Sequence, residues 1–236
     1  MSGPAMRDDP ASSFVMVLRP GWVRLPSREQ DHLALRAKIE EIVAEALPAS
    51  LPRDSAEPWR GELRKRLSGV VLDAEEAGAS AVYLPISQVD GVVIPASFVE
   101  SEVDDGGEVD PVEVLAAILG ESLTLDGWRT VDGSPAARTD HVSTRVQHKG
   151  DWPEVTTRQV VYTIEVPHQR GRWVVLSFSA VSGDNPSAAL SDALVYLFDA
   201  LMTTFRWVNV PGVAPRALEQ RLREICAAAN SNEASP

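Results

Sequence analysis

The chain has a single cysteine, Cys226, among 236 residues. That excludes an intramolecular disulfide and any cysteine-rich zinc site. Cys226 lies with Leu222 and Ile225 on the apolar side of a late helical pattern and is expected as a small buried hydrophobe. Basic residues are also short: 22 Lys and Arg against 34 Asp and Glu, a formal charge of −12, with a pI of about 4.8. Nonspecific nucleic-acid binding requires cations that neutralise phosphates, so an acidic chain with no basic cluster is expected to bind no nucleic acid. The same charge disfavours anionic lipid. No run approaches the roughly 20 apolar residues that span a bilayer, so no membrane insertion is expected. Met1 to Ser13 has no apolar stretch after its charges, and Phe14-Val-Met-Val-Leu18 is short and runs into Arg19-Pro20. No secretory signal or lipobox is read there, and the expected location is cytoplasmic. Scarce Lys beside abundant Arg and Ala points to a GC-rich bacterial genome.

Signatures of chemistry are missing too. No G-x-G-x-x-G follows a strand and no G-x-x-x-x-G-K-[ST] occurs, so neither common nucleotide cradle is visible. The four histidines include no H-x-x-x-H or H-E-x-x-H, and they are read as solvated side chains rather than metal ligands. Asp140-His141 with Ser143 is the local acid, base and hydroxyl cluster. Asp140 and His141 point to opposite faces of a strand, and no oxyanion hole or G-x-S-x-G elbow accompanies them. Glu100 to Asp110 is expected as a solvated acidic loop, since Asp104-Asp-Gly-Gly-Glu108 lacks the residue order of a calcium loop. No catalytic residue, metal ligand or cofactor is assigned. The rival expectation is an enzyme whose site gathers distant residues around His141, Arg145 and Glu165.

What the chain does carry is pattern, most clearly from Arg158 to Trp207. Val160, Tyr162, Ile164 and Val166 alternate with Gln159, Thr163 and Glu165; Val174, Leu176 and Phe178 alternate with Ser177 and Ser179. Period two with one apolar face means two half-buried strands, and Pro167 to Gly171 is short enough to join them as a hairpin. The period then changes. After Asn185-Pro-Ser187, Leu190, Leu194, Leu197, Leu201 and Phe205 recur at helical spacing. On the opposite strand face Val161, Trp173 and Val175 interrupt the polar alternation. Either a helix covers that face or it is a binding surface. Val161, Trp173 and Val175 are therefore the candidate partner-binding residues, and a polar residue at Trp173 is expected to weaken binding without unfolding the chain.

Elsewhere the spacing predicts a strand at Phe14–Leu18, an extended piece before Pro26, a helix over Glu29–Leu47 ended by Pro48, and a second helix from Pro58 to Gly78. Strands follow at Ala81–Ile86 and Gly91–Glu100 around an Asp-Gly turn. Asp110-Pro-Val-Glu113 reads as a capping box that opens a third helix ending at Gly120. Short strands are expected around Trp128 and over His141–His148, and a last helix over Pro215–Ala228. Hairpins in sequence without regular βαβ alternation predict an α+β fold, an antiparallel sheet flanked by helices. Residues 1–12 are expected as a disordered tail, 13–210 as one α+β domain with a helical insert over about 29–78, and 211–236 as a C-terminal helix and polar tail.

Pro20-Gly-Trp-Val after a strand, the late hairpin and the closing Thr203-Thr-Phe-Arg-Trp207 together resemble the PsbP-like fold. Plant photosystem accessory proteins, Mog-type Ran-binding factors, LpqN-like lipoproteins and Eag-type secretion chaperones share it. The resemblance covers about half of the chain; the helical insert, the tail helix and the missing lipobox depart from it. It implies a noncatalytic scaffold that binds proteins or small apolar ligands. The expected function is a protein-binding module of a bacterial cytoplasm, an adaptor, secretion-type chaperone or immunity-like partner of another protein. A structural subunit of a larger assembly is the further alternative.

Overall fold

The computed structural model describes residues 13–46, 53–89, 91–120, 127–145, 155–182 and 188–208. Seven strands form one antiparallel sheet in the order β2(Trp22–Pro26), β3(Ala79–Pro85), β4(Ala96–Asp104), β8(Arg172–Ser182), β7(Val155–Glu165), β6(Ser134–Arg145), β5(Trp128–Val131). A two-stranded ribbon pairs β1(Ser13–Val15) with β9(Arg206–Val208). The helices are α1(His32–Ala46), entered through a 3-10 turn at Glu29–Asp31, α2(Arg53–Glu76), α3(Pro111–Leu119) and α4(Ala188–Met202). The architecture is α+β, as the order of hairpins and helices predicts.

The late hairpin sets the core. Val160 pairs with Phe178, Tyr162 with Leu176 and Ile164 with Val174. All six are buried on one face, which α4 covers with Leu194, Val195, Phe198 and Met202. Phe198 stacks on Phe178 at 4.9 Å and meets Tyr162 edge-on at 5.7 Å. The expected helical stripe is therefore rotated: Leu194 belongs to it, but Leu190 is 38% exposed. Val195 and Phe198 take the inward positions because the sheet contact, rather than leucine spacing, fixes the helix rotation. The ribbon closes the same core, with Phe14 stacked on Phe205 at 4.7 Å and Trp207 set edge-on to Phe205.

Other expectations shift locally. The extended piece before Pro26 is a full edge strand, β2. The first strand is shorter, Ser13–Val15. The second helix starts at Arg53 and runs through Pro58; so near the start, the ring removes one early backbone bond and does not end the helix. Asp110 caps α3 as predicted, its side chain accepting from the Val112 N–H, and Gly120 ends the helix at φ 77°. The expected acidic loop is strand up to Asp104. The His141–His148 strand is seen to Arg145. His148, Trp152, the Asn185–Ser187 helix start, Cys226 and the Pro215–Ala228 helix lie outside the described residues, as do the two polar tails.

Candidate functional site

The second face of the sheet carries Val23 and Leu25 on β2, Val82 and Leu84 on β3, Val99 and Ser101 on β4, Val175 and Ser177 on β8, and Val161 and Thr163 on β7. It is covered at two places. Helices α1 and α2 cover β2 and β3 through Leu35, Ile39, Val43, Leu67 and Val71. Helix α3 covers the end near the β7–β8 turn, where Leu115 packs with Ala137 and Trp173.

The three candidate residues divide on this geometry. Trp173 is 3% exposed. It packs beneath α3, and its indole N–H donates to the Asp105 carboxylate at 2.9 Å. A polar residue there would therefore open a core, which corrects the expectation that the fold would tolerate it. Val161 and Val175 are half-buried and lie beyond α3. They sit on adjacent central strands, two residues apart in register, since Val161 pairs with Ser177 and Thr163 with Val175. With Val99 on β4 they form a mixed strip between the two helical covers, in which Ser177 stands between Val99 and Val161 and its Oγ accepts from Gln159 Nε2 at 2.9 Å.

One flank of α2 is left uncovered, which the sequence did not flag. Arg64 of α2 binds Glu40 of α1 at 2.8 Å, so that side of α2 faces α1. Leu67 and Val71 face the sheet. At about 100° per residue, Trp59 and Val70 fall on the flank turned away from α1, toward β4 and β8. Trp59 is 69% exposed and Val70 41%. Helix α2 turns into β3 through the tight Gly78 connection, so its N-terminal half lies toward the β3–β4 hairpin, where Val89, Val92 and Val93 are exposed as well. Periodicity alone places Trp59 in the apolar stripe of α2; only the position of α1 shows which side of that stripe is left over.

The core face holds a separate cavity of about 330 Å³ between the β1 segment and the β2–β4 strands. Phe14, Met16 and Leu18 form its apolar wall, and Arg24, Tyr83 and Glu100 are among its polar lining. Glu100 is 5% exposed, which corrects the solvated-loop expectation at this residue. Its carboxylate accepts from Ser80 Oγ at 2.9 Å, Tyr83 OH at 2.7 Å and Arg24 Nη2 at 3.3 Å. A buried carboxylate persists only when so paired. Burial pushes the Tyr83 hydroxyl well above its ordinary range, and the Glu100 charge adds to this. The network is internally satisfied, so it reads as a structural ion pair facing a cavity.

The rival grouping does not converge. His141 pairs with Gln159, and Glu165 lies six residues further along β7, roughly 20 Å at strand rise. Arg145 pairs with Val155 at the far end of β6, further still from Glu165. Asp140 is turned to the core face, bound by Arg158 at 2.9 Å, while His141 is exposed on the other. Among the described residues no group of three His, Cys, Asp or Glu could hold a metal ion, and no helix is long and apolar enough to cross a membrane.

No protein-family model matches the chain, and no curated protein matches it. Among solved structures it is similar to LpqN, involved in cell envelope biogenesis of Mycobacterium tuberculosis, at 16% identity over 86% of this chain and 87% of that one, with a TM-score of 0.41. It is also similar to a point mutant of Mog1, at 16% identity over 55% of this chain and 80% of that one, with a TM-score of 0.34. Both are weak resemblances of fold.

Proposed function

We propose that this chain is a noncatalytic protein-binding module, an adaptor, secretion-type chaperone or immunity-like partner of another protein in a bacterial cytoplasm. The observation that carries it is the trio of half-buried valines, Val99, Val161 and Val175, on three adjacent central strands. A sheet face left to water alternates to polar residues; here three valines stay between two helical covers. Valines left partly in water among Ser101, Ser177 and Thr163 give a mixed face of the kind a protein partner can cover.

The test is affinity capture from the native host with the unaltered chain and with a Val161→Ser, Val175→Ser double variant. A protein held by the first and lost from the second, at unchanged thermal midpoint, supports the function. Equal capture by both places the interaction elsewhere and removes the strip from it.

A further inference from the structure

We infer that the outer edge of β6, from Asp140 to Thr144, pairs antiparallel with the same edge of a second copy of this chain, joining two seven-stranded sheets into one. The edge is open because β5 is short. Its pairing reaches only Ala137 of β6, and the Arg138 N–H closes it on the Gly127 carbonyl at 2.7 Å. Successive backbone groups of a strand point to alternate sides. Arg138 is turned away from β7, and so are Asp140, Val142 and Thr144. Among the described residues nothing bonds their outward N–H and C=O groups.

The opposite edge of the sheet is shielded. On β2 the Trp22 N–H turns back to the Arg19 carbonyl at 3.1 Å, and Pro26 has no N–H to offer. Such devices keep an edge from pairing. The open part of β6 has none of them. From Thr139 to Arg145 it holds no Pro or Gly, and it follows β7 without a register shift. Val142, in its middle, is 57% exposed.

Register selects the second copy. Two identical strands related by a two-fold axis must centre on a residue that stands opposite itself. Centred on Val142, Asp140 of each copy stands opposite Thr144 of the other, and Val142 opposite Val142. Every outward N–H and C=O of these residues is then matched, because each such pair exchanges both bonds. A shift by one pair brings in Arg138, whose N–H is taken, or runs past Arg145, the last residue of β6. Between them His141 stands opposite Ser143 and Thr139 opposite Arg145, so no like charges meet. The acidity of the chain is not carried at this edge. Residues 138–145 hold two Arg and one Asp, and Asp140 is bonded to Arg158 at 2.9 Å. Repulsion between more distant carboxylates is screened beyond about 8 Å at physiological salt.

Sedimentation equilibrium of the full chain over a concentration series is expected to show a monomer–dimer equilibrium, and Val142→Pro is expected to weaken it by about tenfold or more. Proline there removes only an outward N–H, so the thermal midpoint should hold. If proline lowers the midpoint, Val142→Lys replaces it: two lysines face to face should weaken the dimer as strongly. In a Cys226→Ser background, Val142→Cys should crosslink the two copies, its Cα atoms being about 5.5 Å apart. Thr144→Cys, roughly 14 Å from its counterpart, should not. A monomer up to about 1 mM, a dimer untouched by both Val142 variants, or crosslinking as ready at 144 as at 142 overturns the inference. Protection of the Asp140, Val142 and Thr144 amides that appears only when another protein is added gives the edge to that partner and overturns it too.

Discussion

The Trp173 indole donates to Asp105 Oδ2 at 2.9 Å, tying the loop before α3 to the central strand β8. The same loop is held from the other side, as the Asp105 N–H donates to the Gly171 carbonyl at 2.8 Å and the Gly107 N–H to Asp105 Oδ1 at 2.8 Å. Residues far apart in the chain thus lock one end of the second face shut, and the opening begins only beyond them.

Trp173→Ala should cost about 3–5 kcal/mol in denaturant unfolding, the range for a buried aromatic truncated to alanine. Trp173→Phe should cost less, keeping the ring packed against Leu115 and giving up only the bond to Asp105. An unchanged midpoint for Trp173→Ala would show that α3 does not hold that face.

Gly171 and Gly91 make a controlled pair. Both have positive φ, 83° and 79°. A Cβ at Gly171 would come within 2.2 Å of the Gly107 nitrogen, whereas at Gly91 nothing lies within 4 Å. Gly91→Ala should cost only the conformational penalty, about 1–2 kcal/mol. Gly171→Ala should cost clearly more, because backbone rather than a flexible side chain must move; thermal midpoints of the two variants measure the gap.

Backbone donation from Gly107, then the Trp173 N–H, holds the Asp105 carboxyl below its ordinary pKa. Its folded value therefore lies under the unfolded value of about 3.9. The stabilisation is present above the unfolded pKa and is lost as pH falls through the folded one. Asp105→Asn should flatten the acid limb of stability below about pH 4. Urea titrations over an acid pH series measure it, and parallel curves for the two proteins would reject the assignment.

At the alkaline end the sign reverses. Burial, aided by the Asp199 charge, pushes the Tyr162 hydroxyl up to about 12, and Tyr162 donates to Asp199 Oδ1 at 2.8 Å. The folded pKa exceeds the unfolded one, so this contribution is intact below about 10 and is lost as pH rises through the folded value. Tyr162→Phe should remove part of the alkaline loss of stability, and tyrosinate absorbance should show a late-titrating hydroxyl that disappears with it.

The period-two runs at 160–166 and 174–178 translate directly into strands, since alternation needs no partner to be read, and the Asp110 cap is equally local. Leu190 shows the limit: leucine spacing suggests an inward position, but the sheet contact selected Val195 and Phe198. Glu100 shows another. In sequence it opens an acidic run, and only the pairing of β4 with β3, and of β3 with β2, brings Tyr83, Ser80 and Arg24 around it. Of the candidate site, the interrupted alternation at Val161, Trp173 and Val175 was visible in the residues. That Trp173 is roofed by α3 while Val161 and Val175 are not could not be read there.

By itself the sequence determined part of the local course of this protein: an acidic chain, its late hairpin, the Asp110 cap and the apolar face of the two late strands. The tertiary structure decided which apolar sides meet. Trp59 and Trp173 are both tryptophans at apolar positions, yet one is exposed and the other enclosed. Local periodicity reports that a side chain prefers to leave water; whether another element arrives to cover it depends on long-range packing, and that packing is what leaves the Val161–Val175 strip open.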